Sequence, residues 1–290
     1  MTLTFTPLHP LFAAEASAVD LCNVHDRATL EAIRAGMERY GVLVFRDQPF
    51  TDPEQLAFAQ RFDGRLHTQT SQAVLVKSRL GTEALSDISN VNADGELMQA
   101  SDRRRIASLA NRLWHTDASF VSPPGRFSLL SARVLPPDSP PTEFACMRAA
   151  YDALNERTRG EIDGLQAHHS IAHSRETLGF VFTPEEREKL KGVPQPLVRR
   201  LRDGRRALYL AAHASHIVGW PLAEGRLLLR DLIEHATQPR FVYRHAWRPH
   251  DLVIWDNRTT MHRARPFADT VHRRELRRTT TLDIEPAAAG

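Results

Sequence analysis

Lysine and cysteine are both scarce in this chain. Of its 38 lysines and arginines, only Lys77, Lys189 and Lys191 are lysines, so arginine carries nearly all of the positive charge. Arginine binds carboxylates and phosphates through two parallel hydrogen bonds. The chain has no lysine-rich arm and a formal net charge of only +3, so nothing favours a nucleic-acid partner. The two cysteines, Cys22 and Cys146, are too few for a disulfide framework, which fits a reducing compartment.

Long hydrophobic runs are also missing. No stretch approaches the ~20 apolar residues that a membrane-spanning helix needs. Residues 1–10 lack the basic and apolar segments of a secretory signal. We therefore expect a cytoplasmic protein without a membrane partner. The composition, 42% hydrophobic and 25% charged over 290 residues, is that of an ordinary globular protein with a substantial core, and we expect a single domain over residues 1–290.

Helical patterns stand at the front of the chain, and strand patterns prevail in its second half. Residues 26–40 are predicted to form an amphipathic helix that ends at Gly41, followed by a buried strand at 42–45. Residues 51–54 have the sequence of a capping box, and residues 148–165 are predicted to form another helix. The many short strands in the second half favour a mainly β fold, with a β-sandwich or jelly-roll core and α-helical decoration.

Residues 65–113 form a long segment with weak secondary-structure signals. Its last part, residues 98–113, is polar and includes three consecutive arginines, Arg103 to Arg105. A long irregular segment inside a compact domain is often a lid or a binding loop, whereas the alternative is a solvated surface connection. The lid interpretation is favoured because the segment leads directly into a candidate metal motif.

That motif is Trp114-His115-Thr116-Asp117. His115 and Asp117 are two residues apart, so they face the same side of an extended strand. An imidazole and a carboxylate are two of the three ligands in the facial triad of non-haem iron(II) enzymes. The alternative is an ordinary surface pair, since this spacing arises by chance in many chains. His262 is the candidate third ligand, because it follows an apolar strand at 252–255 and a tight polar turn.

Two arginines near the C-terminus are candidate anion ligands. Arg274 and Arg278 are four residues apart in a predicted strand, which places them on one face, about 13 Å apart at ~3.3 Å per residue. Arg273 and Arg277 would face the other way. Arginines without nearby acids suggest small anionic ligands. The alternative is an arginine-rich edge strand that discourages aggregation, and only the metal motif favours ligand binding over it.

Taken in order, these motifs resemble the TauD/TfdA family of Fe(II)- and 2-oxoglutarate-dependent dioxygenases. The resemblance rests on Trp114-His115-Thr116-Asp117, Thr142-Glu143-Phe144, Trp255-Asp256-Asn257-Arg258, His262-Arg263 and the arginine-rich residues 273–280, and it runs from His9 to Asp283. Residues 147–154 and 212–216 are most similar to the TfdA branch, the aryloxyalkanoate dioxygenases that act on 2,4-dichlorophenoxyacetate.

The resemblance implies a double-stranded β-helix, or jelly roll, flanked by N-terminal and inserted helices. It implies that His115, Asp117 and His262 bind Fe(II), and that 2-oxoglutarate and O2 are cosubstrates. Arg274, assisted by the hydroxyl of Thr142, would bind the far carboxylate of 2-oxoglutarate. Arg278 would bind the carboxylate of the substrate.

Further substrate contacts are implied at Ser89, Asn90, His213 and His216, although a structural role is an equally good interpretation of the two histidines. One departure from the family pattern precedes Thr142. Relatives have Gly-Gly-Asp-Thr, whereas this chain has Ser139-Pro140-Pro141-Thr142. Proline fixes φ and has no N–H to donate, so the turn that leads into Thr142 must differ.

The reaction implied is hydroxylation of an aryloxyalkanoate at the carbon next to the ether oxygen. The products would be a phenol, a 2-oxo acid such as glyoxylate, succinate and CO2. One alternative is the same chemistry on a sulfonate such as taurine or on another small carboxylate. Another is a metal-binding β-barrel without oxygenase activity, but that site would have no use for Arg274 and Thr142. A homo-oligomer is compatible with the sequence.

Overall fold

The structure, a computed structural model, describes residues 3–68 and 79–284. Its strands are β1 Phe5–Pro7, β2 Ala14–Ala16, β3 Val42–Phe45, β4 Ser86–Ser89, β5 Gly125–Val134, β6 Thr142–Cys146, β7 Gln166–His169, β8 Val193–Pro196, β9 Val198–Arg200, β10 Arg206–Leu208, β11 Ala214–Ile217, β12 Val242–His245, β13 Leu252–Asp256, β14 Thr260–Ala264 and β15 Glu275–Leu282. Its α-helices are α1 Arg27–Tyr40, α2 Asp52–Asp63, α3 Arg103–Ser108, α4 Met147–Asp152, α5 Glu156–Ile162, α6 Ile171–Glu176, α7 Pro184–Lys189 and α8 Leu222–Ala236.

Two sheets form the core of the fold. The larger has the strand order β1-β2-β3-β13-β5-β15-β4, and the smaller has the order β12-β6-β14. Neighbouring strands are antiparallel except β2 and β3, which are parallel. An apolar cluster joins the two sheets, with Val44 and Trp255 from the larger and Phe144 from the smaller. Two packed, mainly antiparallel sheets with attached helices are the predicted jelly-roll architecture.

Helices α1 and α2 cover the large sheet. The side chain of Asp26 caps α1 by accepting a backbone hydrogen bond, and Gly41 ends the helix in the left-handed conformation at φ 72°. Ile33 of α1, Phe58 of α2 and Ile254 of β13 belong to one buried cluster. The predictions of this helix and of the capping box that opens α2 are confirmed.

The prediction of one helix over residues 148–165 is wrong. The chain forms two short helices there, α4 and α5, and Asn155 separates them. The side chain of Asn155 accepts a hydrogen bond from the backbone N–H of Thr158, which starts a new helix instead of continuing the old one. Among the described residues, no helix combines the length and the apolar character needed to cross a bilayer.

Part of the predicted lid segment is helical rather than irregular. Asp102 caps α3, and a short 3-10 helix, Leu109–Arg112, continues it. Ala107 of α3 packs against Ile171 and Phe180 of the region around α6. Three consecutive arginines of α3 form ion pairs with separate parts of the fold: Arg103 with Glu186, Arg104 with Asp87 and Arg105 with Asp269. Residues 69–78 of the segment lie outside the described residues.

Candidate active site

Strand pairing brings the three predicted metal ligands together. The backbone N–H of His115 donates to the carbonyl of His262 at 3.0 Å, and the N–H of His262 donates back to the carbonyl of His115 at 2.9 Å. Asp117 follows two residues later on the same side. One ligand atom from each of these three side chains lies within 4.8 Å of the other two. All three residues are buried, at 5% exposure or less.

The hydrogen bonds of these side chains leave ligand atoms free. Nδ1 of His115 lies 2.8 Å from the carbonyl of Leu113, so the ring donates there and Nε2 keeps its lone pair. In His262, Nδ1 is buried without a partner among the described residues, and Nε2 lies 3.7 Å from Oδ2 of Asp117, too far for a hydrogen bond. Nε2 of His262, which faces Asp117, is therefore left for a metal ion, as Nε2 of His115 is.

The charges of the site suit a divalent cation. Burial would raise the pKa of Asp117, but Arg278 and the two imidazoles lower it to about 2. Burial lowers the pKa of His115 to about 4 and that of His262 well below its ordinary value. At neutral pH the cluster is therefore one carboxylate and two neutral imidazoles, the protonation states that bind a metal ion. This donor set is that of the facial triad, which binds Fe(II).

A second layer of hydrogen bonds fixes the carboxylate of Asp117. Its Oδ2 accepts from the hydroxyl of Ser128 at 2.8 Å, and its Oδ1 accepts from Nη1 of Arg278 at 2.5 Å. Its backbone N–H donates to Oδ1 of Asn257, whose amide nitrogen donates to Ser128. Trp255 donates to the same Asn257 oxygen. The carboxylate is thus oriented before any metal binds.

Two adjoining clefts meet near the metal ligands. The first cleft is lined by His115 and Asp117 themselves, with Arg175, His213, Arg278 and the apolar side chains of Phe120 and Ile171. The second cleft is lined by Ser89, Asn90, Ala264, Phe267 and Arg274. Ile88 of β4, together with Ser108 and Asn111 of the lid segment, lines both. His262 and Ala264 are two apart on β14, so the second cleft opens beside the metal ligands.

Arg274 is a buried cation that forms no ion pair with the described residues. Its residue is 8% exposed, and its Nε has no hydrogen-bond partner in the part of the chain that the structure describes. Its guanidinium carbon lies 5.9 Å from the ring centre of Phe267. Burial lowers its pKa to about 10, so it is still positively charged at neutral pH. A buried, unpaired guanidinium in a cleft is suited to an anionic ligand.

Arg278 lies on the same side of the chain, as its spacing predicts. Its guanidinium lines the first cleft and holds Asp117. Arg277, next to it, faces away and forms ion pairs with Asp87 and Glu275. Arg278 therefore contacts both the metal ligand Asp117 and the first cleft, whereas Arg277 stabilises the fold.

Thr142 begins β6 despite the two prolines before it, but it is not among the residues that line either cleft. It lies in β6 between His245 of β12 and Ala264 of β14, which lines the second cleft. Residues directly opposite in neighbouring strands point to the same side. The hydroxyl of Thr142 accepts a hydrogen bond from Nε1 of Trp247 at 3.0 Å, so its own proton is available for a ligand.

The other predicted substrate contacts fall in different places. His213 is in the first cleft, with its ring centre 5.8 Å from that of His115. Ser89 and Asn90 instead line the second cleft. The amide of Asn90 is occupied, because it donates to the carbonyls of residues 269 and 272 and accepts from the backbone N–H of Arg274. His216 stacks on His168 with ring centres 5.2 Å apart and lines neither cleft.

Comparison with known proteins gives matches over almost the whole chain. The chain is 46% identical over 285 residues to the alpha-ketoglutarate-dependent 2,4-dichlorophenoxyacetate dioxygenase of Cupriavidus pinatubonensis, which covers 98% of this chain and 99% of the relative. It is 35% identical to the (S)-phenoxypropionate/alpha-ketoglutarate-dioxygenase of Sphingobium herbicidovorans, over 92% of this chain and 91% of the relative. The crystal structure of AAD-2 in complex with Mn(II) and N-oxalylglycine superposes with a TM-score of 0.93 at 44% identity, covering 99% of both chains.

The family model described as "Taurine catabolism dioxygenase TauD, TfdA family" matches residues 4–280. This range includes both sheets of the core except the last two residues of β15, together with the three clustered metal ligands and Arg274 and Arg278 of the clefts. The jelly-roll fold, the buried His-Asp-His cluster and the sequence match agree, and the chain belongs to the TauD/TfdA family of dioxygenases.

Proposed function

We propose that this protein is an Fe(II)- and 2-oxoglutarate-dependent dioxygenase that hydroxylates an aryloxyalkanoate such as 2,4-dichlorophenoxyacetate. The carbon next to the ether oxygen receives one oxygen atom of O2, and the resulting hemiacetal collapses to a phenol and a 2-oxo acid, glyoxylate in this case. The second oxygen atom enters 2-oxoglutarate, which gives succinate and CO2. The observation that carries this proposal is the buried cluster of His115, Asp117 and His262 beside a cleft that contains an unpaired guanidinium.

The metal ion and the protein have separate tasks. Bound Fe(II) would supply the activation of O2 that is coupled to oxidative decarboxylation of 2-oxoglutarate. The protein binds and orients the reactants. Arg274 binds the far carboxylate of 2-oxoglutarate in the second cleft, and Arg278 binds the substrate carboxylate in the first. The hydroxyl of Thr142, which lies opposite the cleft residue Ala264 in the neighbouring strand, assists Arg274. His115, Asp117 and His262 would hold the Fe(II), and a set of three protein ligands would leave coordination positions for the reactants.

The first cleft is suited to an aromatic acid. It has a cation, Arg278, at one place and the apolar side chains of Ile88, Phe120 and Ile171 at others. The ring of Phe120 meets that of His213 edge to face, with centres 5.5 Å apart. Burial of an aryl ring against apolar walls of this kind is favourable, whereas a small sulfonate such as taurine has only a short methylene chain to place there. This feature favours an aryloxy acid over the sulfonate.

We also propose that residues 65–113 form a lid within one catalytic domain that spans residues 1–290. Support comes from the described part of the lid, because Ser108 and Asn111 line both clefts. The ion pairs of Arg103, Arg104 and Arg105 hold this part in place over the clefts. Exclusion of water from a reacting site prevents side reactions. The two cysteines are free, in keeping with a cytoplasmic location.

Two measurements test the function. Anaerobic addition of Fe(II) and 2-oxoglutarate is expected to give the weak visible charge-transfer band of a chelated ferrous ion. Folded protein without this band would refute the dioxygenase assignment. Succinate release is then compared for 2,4-dichlorophenoxyacetate, 2-aryloxypropionates and taurine. We expect the aryloxy acids to be turned over with the higher kcat/KM, and a preference for taurine would refute the substrate assignment alone.

A further inference from the structure

A second guanidinium lies in the first cleft. Arg175 is on α6, and its side chain lines the cleft together with Arg278 and His213. The residue is 7% exposed. Its one described side-chain hydrogen bond runs from Nη1 to the hydroxyl of Ser174 at 2.8 Å, and within the described residues no carboxylate forms an ion pair with it. A guanidinium has five N–H donors, so most of its donors have no partner among the described residues.

The charge of Arg175 persists in this environment. Burial, with a smaller contribution from the nearby cation of Arg278, lowers its pKa to about 10. The side chain is therefore protonated at neutral pH. A buried charge without a partner is costly to folding, and the cost is offset where a bound anion supplies the missing charge. Arg175 thus has the same properties in the first cleft as Arg274 has in the second.

Arg278 is less free than Arg175 to take up an anion. It already donates to Oδ1 of Asp117, a carboxylate that the metal ion also needs. Three guanidinium groups line the first cleft, those of Arg104, Arg175 and Arg278, and Asp117 is the one carboxylate among its described lining residues. Arg104 is paired with Asp87 outside this lining, so Arg175 and Arg278 together face the single carboxylate of Asp117. This excess of positive charge increases further when a divalent cation binds. The cleft therefore requires an anion at a place that Arg175 can reach.

The position of Arg175 is fixed by a short hydrogen-bond network. The hydroxyl of Ser174 donates to the carbonyl of Ile171 at 2.9 Å, so its oxygen accepts from Arg175 and from Nδ1 of His213, at 2.8 and 2.9 Å. One oxygen atom thus orients two side chains of the same cleft. A binding group held in this way loses little conformational entropy when the ligand arrives.

We propose that Arg175 binds the substrate carboxylate jointly with Arg278 and that it makes the first cleft select aryloxy acids over uncharged aryl ethers. This inference rests on the proposed function, because it assigns a residue to the recognition of that substrate. Arg278 bridges the carboxylate of Asp117 and that of the substrate, while Arg175 has no other acidic partner among the described residues.

The test compares a charged and an uncharged ligand of nearly the same shape. Binding of 2,4-dichlorophenoxyacetate and of 2,4-dichlorophenoxyacetamide is measured on anaerobic enzyme loaded with Fe(II) and 2-oxoglutarate. Arg175→Gln is expected to raise the Kd of the acid about 10- to 100-fold, the range of a lost charge-assisted hydrogen bond. The Kd of the amide and that of 2-oxoglutarate should stay within about twofold, since neither involves the charge of Arg175.

Arg34→Gln is the matched control. It removes a half-buried guanidinium that donates to the carbonyl of Phe62 and lines neither cleft. The ratio of acid to amide affinity should be unchanged in this variant. If Arg175→Gln does not fold, Arg175→Lys decides, because lysine keeps the charge but loses the planar fork. It is expected to weaken binding of the acid several-fold and to leave the amide unaffected.

If Arg175→Gln raised the Kd values of acid and amide equally, Arg175 would only support packing. If neither Kd changed in either Arg175 variant, Arg278 would bind the carboxylate alone. Either result overturns the proposal. Both differ from a failure of the proposed function, in which the unsubstituted protein itself gives no charge-transfer band and no succinate with any of these acids.

Discussion

Replacing Arg274 with glutamine should distinguish the 2-oxoglutarate site from the substrate site. The guanidinium of Arg274 lies in the second cleft, while Arg278 lines the first. Arg274→Gln should therefore weaken the binding of 2-oxoglutarate and leave the Kd of the aryloxy acid almost unchanged. The reason is that Arg274 has no acidic partner among the described residues and is available to the far carboxylate of 2-oxoglutarate.

The size of the effect follows from the burial of the pair. Removing one partner of a buried, hydrogen-bonded charge pair costs about 2 to 5 kcal/mol, which is roughly 30- to 4,000-fold in affinity at 1.4 kcal/mol per factor of ten. Arg274 is only 8% exposed, so water cannot replace it fully. Glutamine can still donate a neutral hydrogen bond, and we expect the lower part of this range, roughly 30- to 300-fold.

The same substitution should not destabilise the ligand-free protein. Burial lowers the pKa of Arg274 from 12.5 to about 10, which corresponds to about 3 kcal/mol of unfavourable free energy for the charged form in the fold. Removing the charge relieves this cost, and the shorter side chain loses some packing on Phe267. The Tm of the ligand-free variant is therefore expected to equal or exceed that of the unsubstituted protein. Arg274 would then lower stability in order to bind a ligand, as functional residues often do.

The Fe(II)-loaded protein is titrated anaerobically with 2-oxoglutarate, and the charge-transfer band reports binding. The KM values of 2-oxoglutarate and of the aryloxy acid are measured as well. Arg273→Gln is the control, because its guanidinium is about half exposed and pairs with Glu275, and exposed pairs contribute little. Its Kd for 2-oxoglutarate should change less than about twofold. If Arg274→Gln raised only the KM of the aryloxy acid, the roles assigned to the two clefts would be reversed.

Three further outcomes are expected. His262→Ala should abolish metal binding and turnover. The metal affinity is measured by calorimetric titration with Mn(II) in place of Fe(II), and an unchanged affinity would contradict the role of His262 as a ligand. Ser128→Ala removes the hydrogen bond to Oδ2 of Asp117 and should weaken Fe(II) binding about 10- to 100-fold. It also removes the acceptor of the buried amide of Asn257, so the protein should lose about 1 to 3 kcal/mol of stability, and an unchanged Fe(II) affinity would contradict the orienting role of Ser128. The metal-free protein should lose about 2 kcal/mol of unfolding free energy for each of His115 and His169 between pH 7 and pH 5. Their pKa values in the fold, about 4 and about 3, lie below the ordinary 6.5. The unfolded chain therefore binds protons first as the pH falls, which lowers the stability of the fold. Equal free energies of urea unfolding at pH 7 and pH 5 would contradict this prediction.

The sequence predicted the parts of the site that depend on local periodicity. His115 and Asp117 face one side because residues two apart on an extended chain do so, and Arg274 and Arg278 share a side for the same reason. The distant ligand His262 was predicted from the apolar strand and the tight polar turn that precede it, and the order of the motifs then indicated the family. The predictions of the fold, the family and the class of enzyme are confirmed. These features require little knowledge of how distant elements pack.

The parts that were missed depend on packing between distant elements. Arg175 carries no signal of its own, because an arginine in a short polar helix usually faces solvent, and only the docking of α6 near the metal ligands buries it. His216 resembles a site residue in sequence, yet the pairing of β11 with β7 places it beside His168. In the lid segment, the cap at Asp102 forms a helix where composition predicted irregular structure.

The buried arginines show how the fold separates structural charges from ligand-binding ones. Four arginines are less than 9% exposed within residues 3–68 and 79–284, namely Arg148, Arg175, Arg274 and Arg277. Arg148 donates to backbone carbonyls of α1, and Arg277 pairs with Asp87 and Glu275, so the protein satisfies both. Arg175 and Arg274 have no such carboxylate, and each lines one of the two clefts. Since an unpaired buried charge lowers stability, its presence in each cleft is best explained by an anion that binds there, one for the substrate and one for 2-oxoglutarate.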